Sequence, residues 1–211
     1  MKRIFTLLLC LTMLFALMAG CGNNSKPSET TEDTTPATPA GTLYVTLNNT
    51  LELVYDQDGN ILELKGTDAD SNAIAADLQM HLGRGCVHAV RGFMRYVSDR
   101  KIIGDAKSMT VRVGFGDPLP TADFLDTITV DTQMLADEEG TGVQIHKISA
   151  DKLDSAGLIL PEVAKILAAR RLSTTAETLT GEDTVVDGQY TYSFAGKTCT
   201  VNATTGLITA K

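Results

Sequence analysis

Three short segments that follow residue 41 constrain this chain to begin its fold as β-structure. Apolar residues alternate with polar ones over 42–47, a second apolar run covers 51–55, and a third covers 61–64. An alternation with a period of two places one face of a strand in a core and the other toward solvent. Asp58-Gly59 separates the second and third runs, and this dipeptide is typical of a tight hairpin. The sequence therefore predicts three consecutive antiparallel strands.

Helical and strand patterns alternate in the next part of the chain. Apolar residues recur at helical spacing over 86–98, which predicts an amphipathic helix, and a shorter helical piece is expected around 73–80. Residues 109–115 and 143–148 have strand patterns, whereas 121–137 fit either a helix or a strand. The order β-β-β-α-β-α-β predicts an α+β fold, in which helices pack on one face of an antiparallel β-sheet.

The C-terminal part carries a pattern of its own. A helix is predicted over 160–171, where Pro161 suits the first helical turn. Aromatic residues then alternate with polar ones over 190–194, and a turn-rich stretch at 202–206 precedes a last short strand. This pattern predicts a helix followed by a small antiparallel meander with a packed aromatic face. The predicted domains are therefore 42–150 and 151–211.

Acidic residues after the third strand have part of the spacing of a calcium-binding loop. Asp68, Asp70 and Asn72 are separated by one residue each, but Ala73 replaces the required Gly and Gln79 replaces the bidentate Glu. We therefore interpret these acids as turn and helix-cap residues.

The cysteines and histidines offer one further metal-like cluster. His81, Cys86 and His88 lie close in sequence, but a glycine-rich break separates them and no fourth ligand is evident. We therefore expect no metal and no cofactor. Cys86 and Cys199 leave two alternatives open, a disulfide or two independent buried thiols, and no spacing pattern supports the disulfide.

The charge balance limits the kinds of partner. The 211 residues include 26 Asp or Glu and 18 Lys or Arg, so the formal net charge is −8. An acidic chain repels phosphate backbones, which argues against nucleic acid as a partner. The short motifs of serine hydrolases, zinc proteases, phosphate-binding loops and dinucleotide-binding folds are absent from the sequence. We therefore expect a protein that is not an enzyme.

The N-terminus has the pattern of a secretion signal. A basic stretch at 1–3 precedes an almost wholly apolar stretch at 4–18. Residues 17–21, Leu-Met-Ala-Gly-Cys, resemble the bacterial lipobox, in which the Cys is acylated and becomes the new N-terminus after cleavage. The resemblance implies a signal peptide over 1–20 and a protein that is held outside the cytoplasm on the cell membrane by acyl chains, such as palmitate, on Cys21.

The residues after Cys21 have the composition of a linker. Residues 22–41 are rich in Ser, Thr, Pro and Glu and contain no large apolar side chain. Such a segment cannot bury a core, so we expect a flexible tether. Cleavage of the signal peptide would also remove the cations Lys2 and Arg3 and change the net charge to −10.

The first predicted domain resembles a known family over its opening residues. Residues 42–53 (TLYVTLNNTLEL) and 58–62 (DGNIL) are similar to the extracytoplasmic middle domain of RsgI-type anti-sigma factors. Members of that family can cleave themselves at an Asn-Pro bond near a Ser. The resemblance places Asn48 at the Asn and Thr50 at the Ser, and Asn49 stands where the family has Pro.

The second predicted domain resembles a PepSY domain. The helix 160–168 matches that family through Ala164 and Ile166, and the ending 198–208 (TCTVNATTGLI) fits its closing pattern. Thr198 stands where an aromatic residue is usual. The resemblance implies a non-catalytic extracytoplasmic module that binds or restrains peptidases or acts in envelope regulation.

These patterns lead to one leading hypothesis and two alternatives. The leading hypothesis is a membrane-anchored, extracytoplasmic, non-catalytic module that binds and regulates a protein partner, such as an envelope peptidase. The first alternative is an envelope signalling protein that cleaves itself near Asn48. The second is a structural or solute-binding lipoprotein.

Overall fold

The computed structural model of the chain describes residues 37–106 and 108–211. The predicted signal peptide at 1–20, the lipidation of Cys21 and most of the predicted linker lie outside these residues. Within them, no helix combines the length and the apolar character that crossing a bilayer requires.

A five-stranded sheet carries the first part of the fold. Its strands are β1 (Gly41–Thr46), β2 (Thr50–Tyr55), β3 (Ile61–Gly66), β4 (Ser108–Val113) and β5 (Gln144–Ile148). Their order in space is β3-β2-β1-β4-β5. The predicted α+β fold is confirmed, but the sheet is mixed, because β4 and β5 are parallel whereas the other pairs are antiparallel. A parallel pair needs a crossover, and a helix between the two strands supplies it.

Three helices pack on one face of this sheet. They are α1 (Ala69–Asp77), α2 (Cys86–Asp99) and α3 (Phe124–Glu138). Helix α1 begins earlier than predicted because Asp68 caps it, with the Ser71 N–H donating to Asp68 Oδ1 at 2.8 Å and the Asp68 N–H donating to Ser71 Oγ at 2.9 Å. The interpretation of Asp68 as a cap residue is therefore confirmed. The segment for which helix and strand both remained open forms α3.

Strand β4 is buried on both faces. Met109, Val111 and Val113 point into the core beneath the helices. Arg112 points to the opposite face and is only 3% exposed, with its Cζ 4.7 Å from the centroid of the Tyr44 ring. Burial lowers the pKa of this guanidinium below its ordinary value. The opposite face of β4 is therefore covered, although its residues are polar.

The C-terminal part forms a helix and a second, four-stranded antiparallel sheet. Its elements are α4 (Pro161–Arg171), β6 (Thr180–Val186), β7 (Gln189–Phe194), β8 (Lys197–Asn202) and β9 (Ile208–Ala210). The strands follow one another in space in chain order. The predicted helix and meander are present, and β6 is an additional strand that the sequence pattern did not predict. Because most of its side chains are exposed, β6 leaves no apolar–polar alternation in the sequence, although it pairs with β7.

Two apolar cores divide the described residues. The first gathers side chains from Leu43 to Ile145, and the second gathers side chains from Ile148 to Ala203. Cys86 lies in the first core and Cys199 in the second, and both are unpaired. Of the two alternatives for these cysteines, independent buried thiols are confirmed. The domain boundary at residue 150 stays a prediction, since the two cores meet at β4 and β5.

The turn before β9 joins the two parts of the fold. The Thr110 hydroxyl donates to the Thr205 carbonyl oxygen at 3.2 Å, and Arg112 Nη1 donates to the Gly157 carbonyl oxygen at 3.3 Å. Gly206 lies against the same strand, where a Cβ built on it would fall 2.9 Å from Thr110 Oγ1 and 3.4 Å from Ile148 Cδ1. The C-terminal part therefore covers the polar face of β4, and the absence of a side chain at Gly206 permits this close approach.

Replacement of Gly206 by Ala tests this junction. Gly206 and Gly196 both have positive φ, at 75° and 80°, but a Cβ on Gly196 would meet nothing within 4 Å. We expect Gly196→Ala to lower the free energy of unfolding by about 1 kcal/mol through backbone strain alone. Gly206→Ala adds the clash with Thr110 and should cost about 2 to 4 kcal/mol in urea unfolding. Equal losses in the two variants would contradict the close contact.

Candidate functional site

The predicted self-cleavage residues lie in the turn between β1 and β2. Asn48 is exposed, and its Nδ2 donates to two carbonyl oxygens of a distant loop, Ile102 at 2.9 Å and Ile103 at 2.8 Å. An asparagine that cuts its own backbone must bring its amide nitrogen to its own carbonyl carbon. Here that nitrogen is already engaged with other acceptors, so the Asn48 side chain acts as a clamp between the turn and the 102–103 loop.

The neighbours of Asn48 are also engaged. Thr50 is buried, and its Oγ1 lies 3.1 Å from Thr46 Oγ1 across the start of the hairpin. The Asn49 carbonyl oxygen accepts a hydrogen bond from the Leu47 N–H at 3.0 Å. The structure therefore brings Asn48, Asn49 and Thr50 together in one tight turn, in which each takes part in hydrogen bonding that stabilises the turn.

The residues of the metal-like cluster separate in the structure. Cys86 is buried in the first core, and burial raises the pKa of its thiol to about 12. His81 is half-buried, whereas His88 is exposed on α2. Across the described ranges, no three His, Cys, Asp or Glu side chains come together as metal ligands would. The two histidines instead line a cleft together with arginines.

We call this cleft the arginine cleft because three of the residues that line it are arginines. It encloses about 170 Å³, and it is lined by His81, Arg84, His88, Arg91, Gly92, Arg95 and Leu135. Helix α2 supplies most of the lining because it is strongly amphipathic. Its apolar residues, among them Val90, Phe93 and Met94, are buried against the sheet. His88, Arg91 and Arg95 follow one another at helical spacing on a different side of the helix.

Backbone hydrogen bonds to the β2–β3 hairpin fix the start of α2. The Cys86 N–H donates to the Gly59 carbonyl oxygen at 2.9 Å, which satisfies a donor that the helix itself leaves free. The Ile61 N–H donates to the Arg84 carbonyl oxygen at 2.9 Å, and the Arg84 N–H donates to the His81 carbonyl oxygen at 3.0 Å. The backbone that carries the first cleft residues is therefore tied to the sheet.

Gly92 is part of the cleft lining, and the His81 ring packs against it. A Cβ built on Gly92 would lie 2.4 Å from His81 Nε2 and 3.0 Å from His81 Cε1, so any side chain here would displace the imidazole. His81 Nδ1 is buried and has no hydrogen-bond partner within the described part of the chain. Burial, together with the charges of Arg84 and His88, lowers the pKa of His81 below its ordinary value. This imidazole is therefore neutral near pH 7.

Acidic side chains outside the cleft lining hold two of the arginines. Arg91 Nη1 lies 2.8 Å from Asp131 Oδ1 of helix α3, and Arg95 Nε lies 4.0 Å from Glu139 Oε1 just beyond α3. For Arg84, no ion pair is found within 37–106 and 108–211. Three guanidinium groups line the cleft and two carboxylates pair with them, so the local net charge is positive. The overall charge of the chain is negative.

Sequence reasoning found the two histidines of this cleft but not its arginines. The signal was available in part, since His88, Arg91 and Arg95 recur every three or four residues and so share one side of a helix. The position of His81 over Gly92 carries no such signal, because it depends on the short 3₁₀ turn Gln79–His81 folding back onto α2.

No model of a known protein family matches this chain, and a comparison with curated proteins finds no significant match. The likeness to RsgI-type middle domains and to PepSY domains therefore rests on the residues that carry it.

Replacement of Asn48 by Asp tests the clamp in the β1–β2 turn. The variant removes two donated hydrogen bonds and turns a carboxylate toward the carbonyl oxygens of Ile102 and Ile103. We expect the free energy of unfolding in urea at pH 7 to fall by about 1 to 3 kcal/mol. Asn49→Asp is the matched control, because no side-chain hydrogen bond of Asn49 is found among the described residues, and it should change stability by about 0.5 kcal/mol or less. Equal effects would contradict the clamp.

Proposed function

We propose that this protein is a membrane-tethered, extracytoplasmic lipoprotein whose folded part binds and regulates a protein partner without catalysis of its own. One structural observation carries the binding part of the proposal: exposed apolar side chains lie next to the arginine cleft. A neighbouring depression of about 490 Å³ shares His81, Gly92 and Arg95 with the cleft and adds Met80 and Tyr96. This combination of residue types supports a surface for protein recognition.

The exposed apolar residues continue on helix α3. Val130 and Met134 are 60% and 56% exposed, and their spacing of four residues makes them neighbours on one face. Asp131, which pairs with Arg91, and Leu135, which lines the cleft, follow them directly in sequence. Single exposed apolar residues are common on protein surfaces, but Met, Tyr and Arg gathered at one place have the composition of an interface centre.

The state of the nucleophilic side chains supports a non-catalytic role. Burial raises the pKa of the Cys199 thiol to about 11, and the Cys86 thiol is similarly suppressed, so neither forms a thiolate near pH 7. Burial and the nearby Arg170 lower the pKa of His146 to about 4. His146 Nδ1 lies 2.6 Å from Arg170 Nη1, at the contact between β5 and α4. The two thiols and the His146 imidazole therefore contribute to packing, and none of them has the character of a reactive nucleophile or base.

The tether and the partner class come from the sequence. The lipobox-like residues 17–21 and the Ser/Thr/Pro-rich segment 22–41 support a location of the folded part on the outer side of a membrane, with Cys21 as the anchor. The likeness to regulatory domains at both ends of the folded part favours an extracytoplasmic peptidase or a membrane-bound regulator as the partner. A Cys21→Ser variant that still fractionates with membranes and still incorporates labelled palmitate would contradict the anchor.

Capture of the partner with surface variants tests the binding role. Full-length protein is crosslinked in cells of the producing organism, and the captured proteins are identified by mass spectrometry. We expect one envelope protein to be enriched, and Met80→Ser and Met134→Ser to reduce its recovery about tenfold each, since interface centres tolerate the loss of an apolar anchor poorly.

Val186→Ser is the matched control for these two variants. Val186 is 66% exposed on β6, in the C-terminal sheet, so its replacement removes a similar apolar surface elsewhere. It should leave recovery unchanged. If all three variants recover the same proteins in the same amounts as the wild type, the surface that contains Met80 and Met134 is not the binding surface and the proposal is wrong.

A further inference from the structure

We propose that the arginine cleft is a binding site for a phosphate group, with Arg84 and His88 as free donors and Arg91 and Arg95 as donors held in position by Asp131 and Glu139. This site goes beyond the proposed function, since its ligand does not depend on the identity of the protein partner. The proposal rests on the arrangement of the donors, the room in the cleft and the local balance of charge.

The donors come from two structural elements and surround one space. Arg84 precedes helix α2 and is fixed through its backbone to His81 and to Ile61 of β3. His88, Arg91 and Arg95 lie on α2 over two further turns. A carboxylate is satisfied by a single guanidinium fork, whereas the oxygens of a phosphate point in several directions and accept from several donors at once. Three arginines and a histidine around one cleft therefore suit a phosphate better than a carboxylate.

The cleft has room for such a group, and the absence of a side chain at Gly92 lets the His81 ring pack there as one wall. Its volume of about 170 Å³ is several times the roughly 30 Å³ that one water occupies in the liquid. A phosphate therefore fits together with some of its hydration.

The charges favour a small anion over a polyanion. Asp131 and Glu139 offset two of the three cleft arginines and leave the positive charge of Arg84 uncompensated among the described residues. The chain as a whole is acidic, with a formal charge of −8. A polyanion such as nucleic acid would be repelled over most of its length, whereas a single phosphate meets only the local donors.

Titration of the full chain with inorganic phosphate, followed by NMR, tests the site. We expect saturable shifts of the side-chain signals of Arg84, Arg91 and Arg95 and of the ring signals of His81 and His88, while chloride at the same ionic strength gives none. Arg84→Gln should weaken the affinity at least about tenfold, since it removes a charge-assisted hydrogen bond. Arg84 is exposed, so this variant should keep the unfolding temperature of the wild type.

Arg100→Gln is the matched control. Arg100 lies at the C-terminal end of α2, outside the lining of the arginine cleft, and its Nη2 pairs with Asp77 Oδ2 at 3.1 Å. Its replacement removes an exposed arginine of the same helix and should leave the phosphate affinity unchanged. Shifts that do not saturate, or equal weakening by Arg84→Gln and Arg100→Gln, would overturn the site.

Vesicles distinguish the two sources of the phosphate. Tighter binding to phosphatidylglycerol than to phosphatidylcholine vesicles, with this difference lost in Arg84→Gln, assigns the site to an anionic lipid headgroup. Saturable binding of inorganic phosphate without such a difference between the vesicles assigns it to a free phosphate or a soluble phosphoester. Because the capture experiment relies on Met80 and Met134, it can fail while the phosphate site is retained, and the reverse also holds.

Discussion

The burial of β4 on both faces is the constraint on which the rest of the structure depends. One face carries Met109, Val111 and Val113 beneath the helices, and the other carries Thr110 and Arg112 beneath the C-terminal segment. Polar groups on a buried face need partners, because each unpaired donor costs about 1 to 3 kcal/mol. The carbonyl oxygens of Gly157 and Thr205 supply such partners. The helical layer, which carries the arginine cleft, and the C-terminal part therefore pack on opposite faces of β4.

The fold was largely predictable where one side of an element is buried and the other is exposed to solvent. The alternation in β1 and the helical spacing in α2 revealed both elements at nearly their observed bounds. Strand β6 was missed because most of its side chains are exposed, so that its sequence shows no apolar–polar alternation. The parallel pairing of β4 and β5 was also missed, since strand direction depends on where helix α3 returns the chain.

The candidate site was harder to predict for a related reason. The helical spacing of His88, Arg91 and Arg95 was present in the sequence, but charges on one side of a helix are usually solvated and point to no ligand. These residues form a cleft only through tertiary contacts. His81 lies over Gly92, and Asp131 of a different helix positions Arg91. The same holds for Asn48, since the sequence places it in a turn but not against the Ile102 and Ile103 carbonyl oxygens.

Strand β4 joins the helical layer and the C-terminal part of the fold, which predicts that the two parts unfold together. Native-state hydrogen exchange of the full chain in increasing denaturant tests this directly, because it reports which amides open together. We expect the amides of β4 and of β8 to exchange only through one shared unfolding event, with the same free energy and the same denaturant dependence. Exchange of the β7 and β8 amides through a separate opening of lower free energy, while β4 stays protected, would contradict a single cooperative unit.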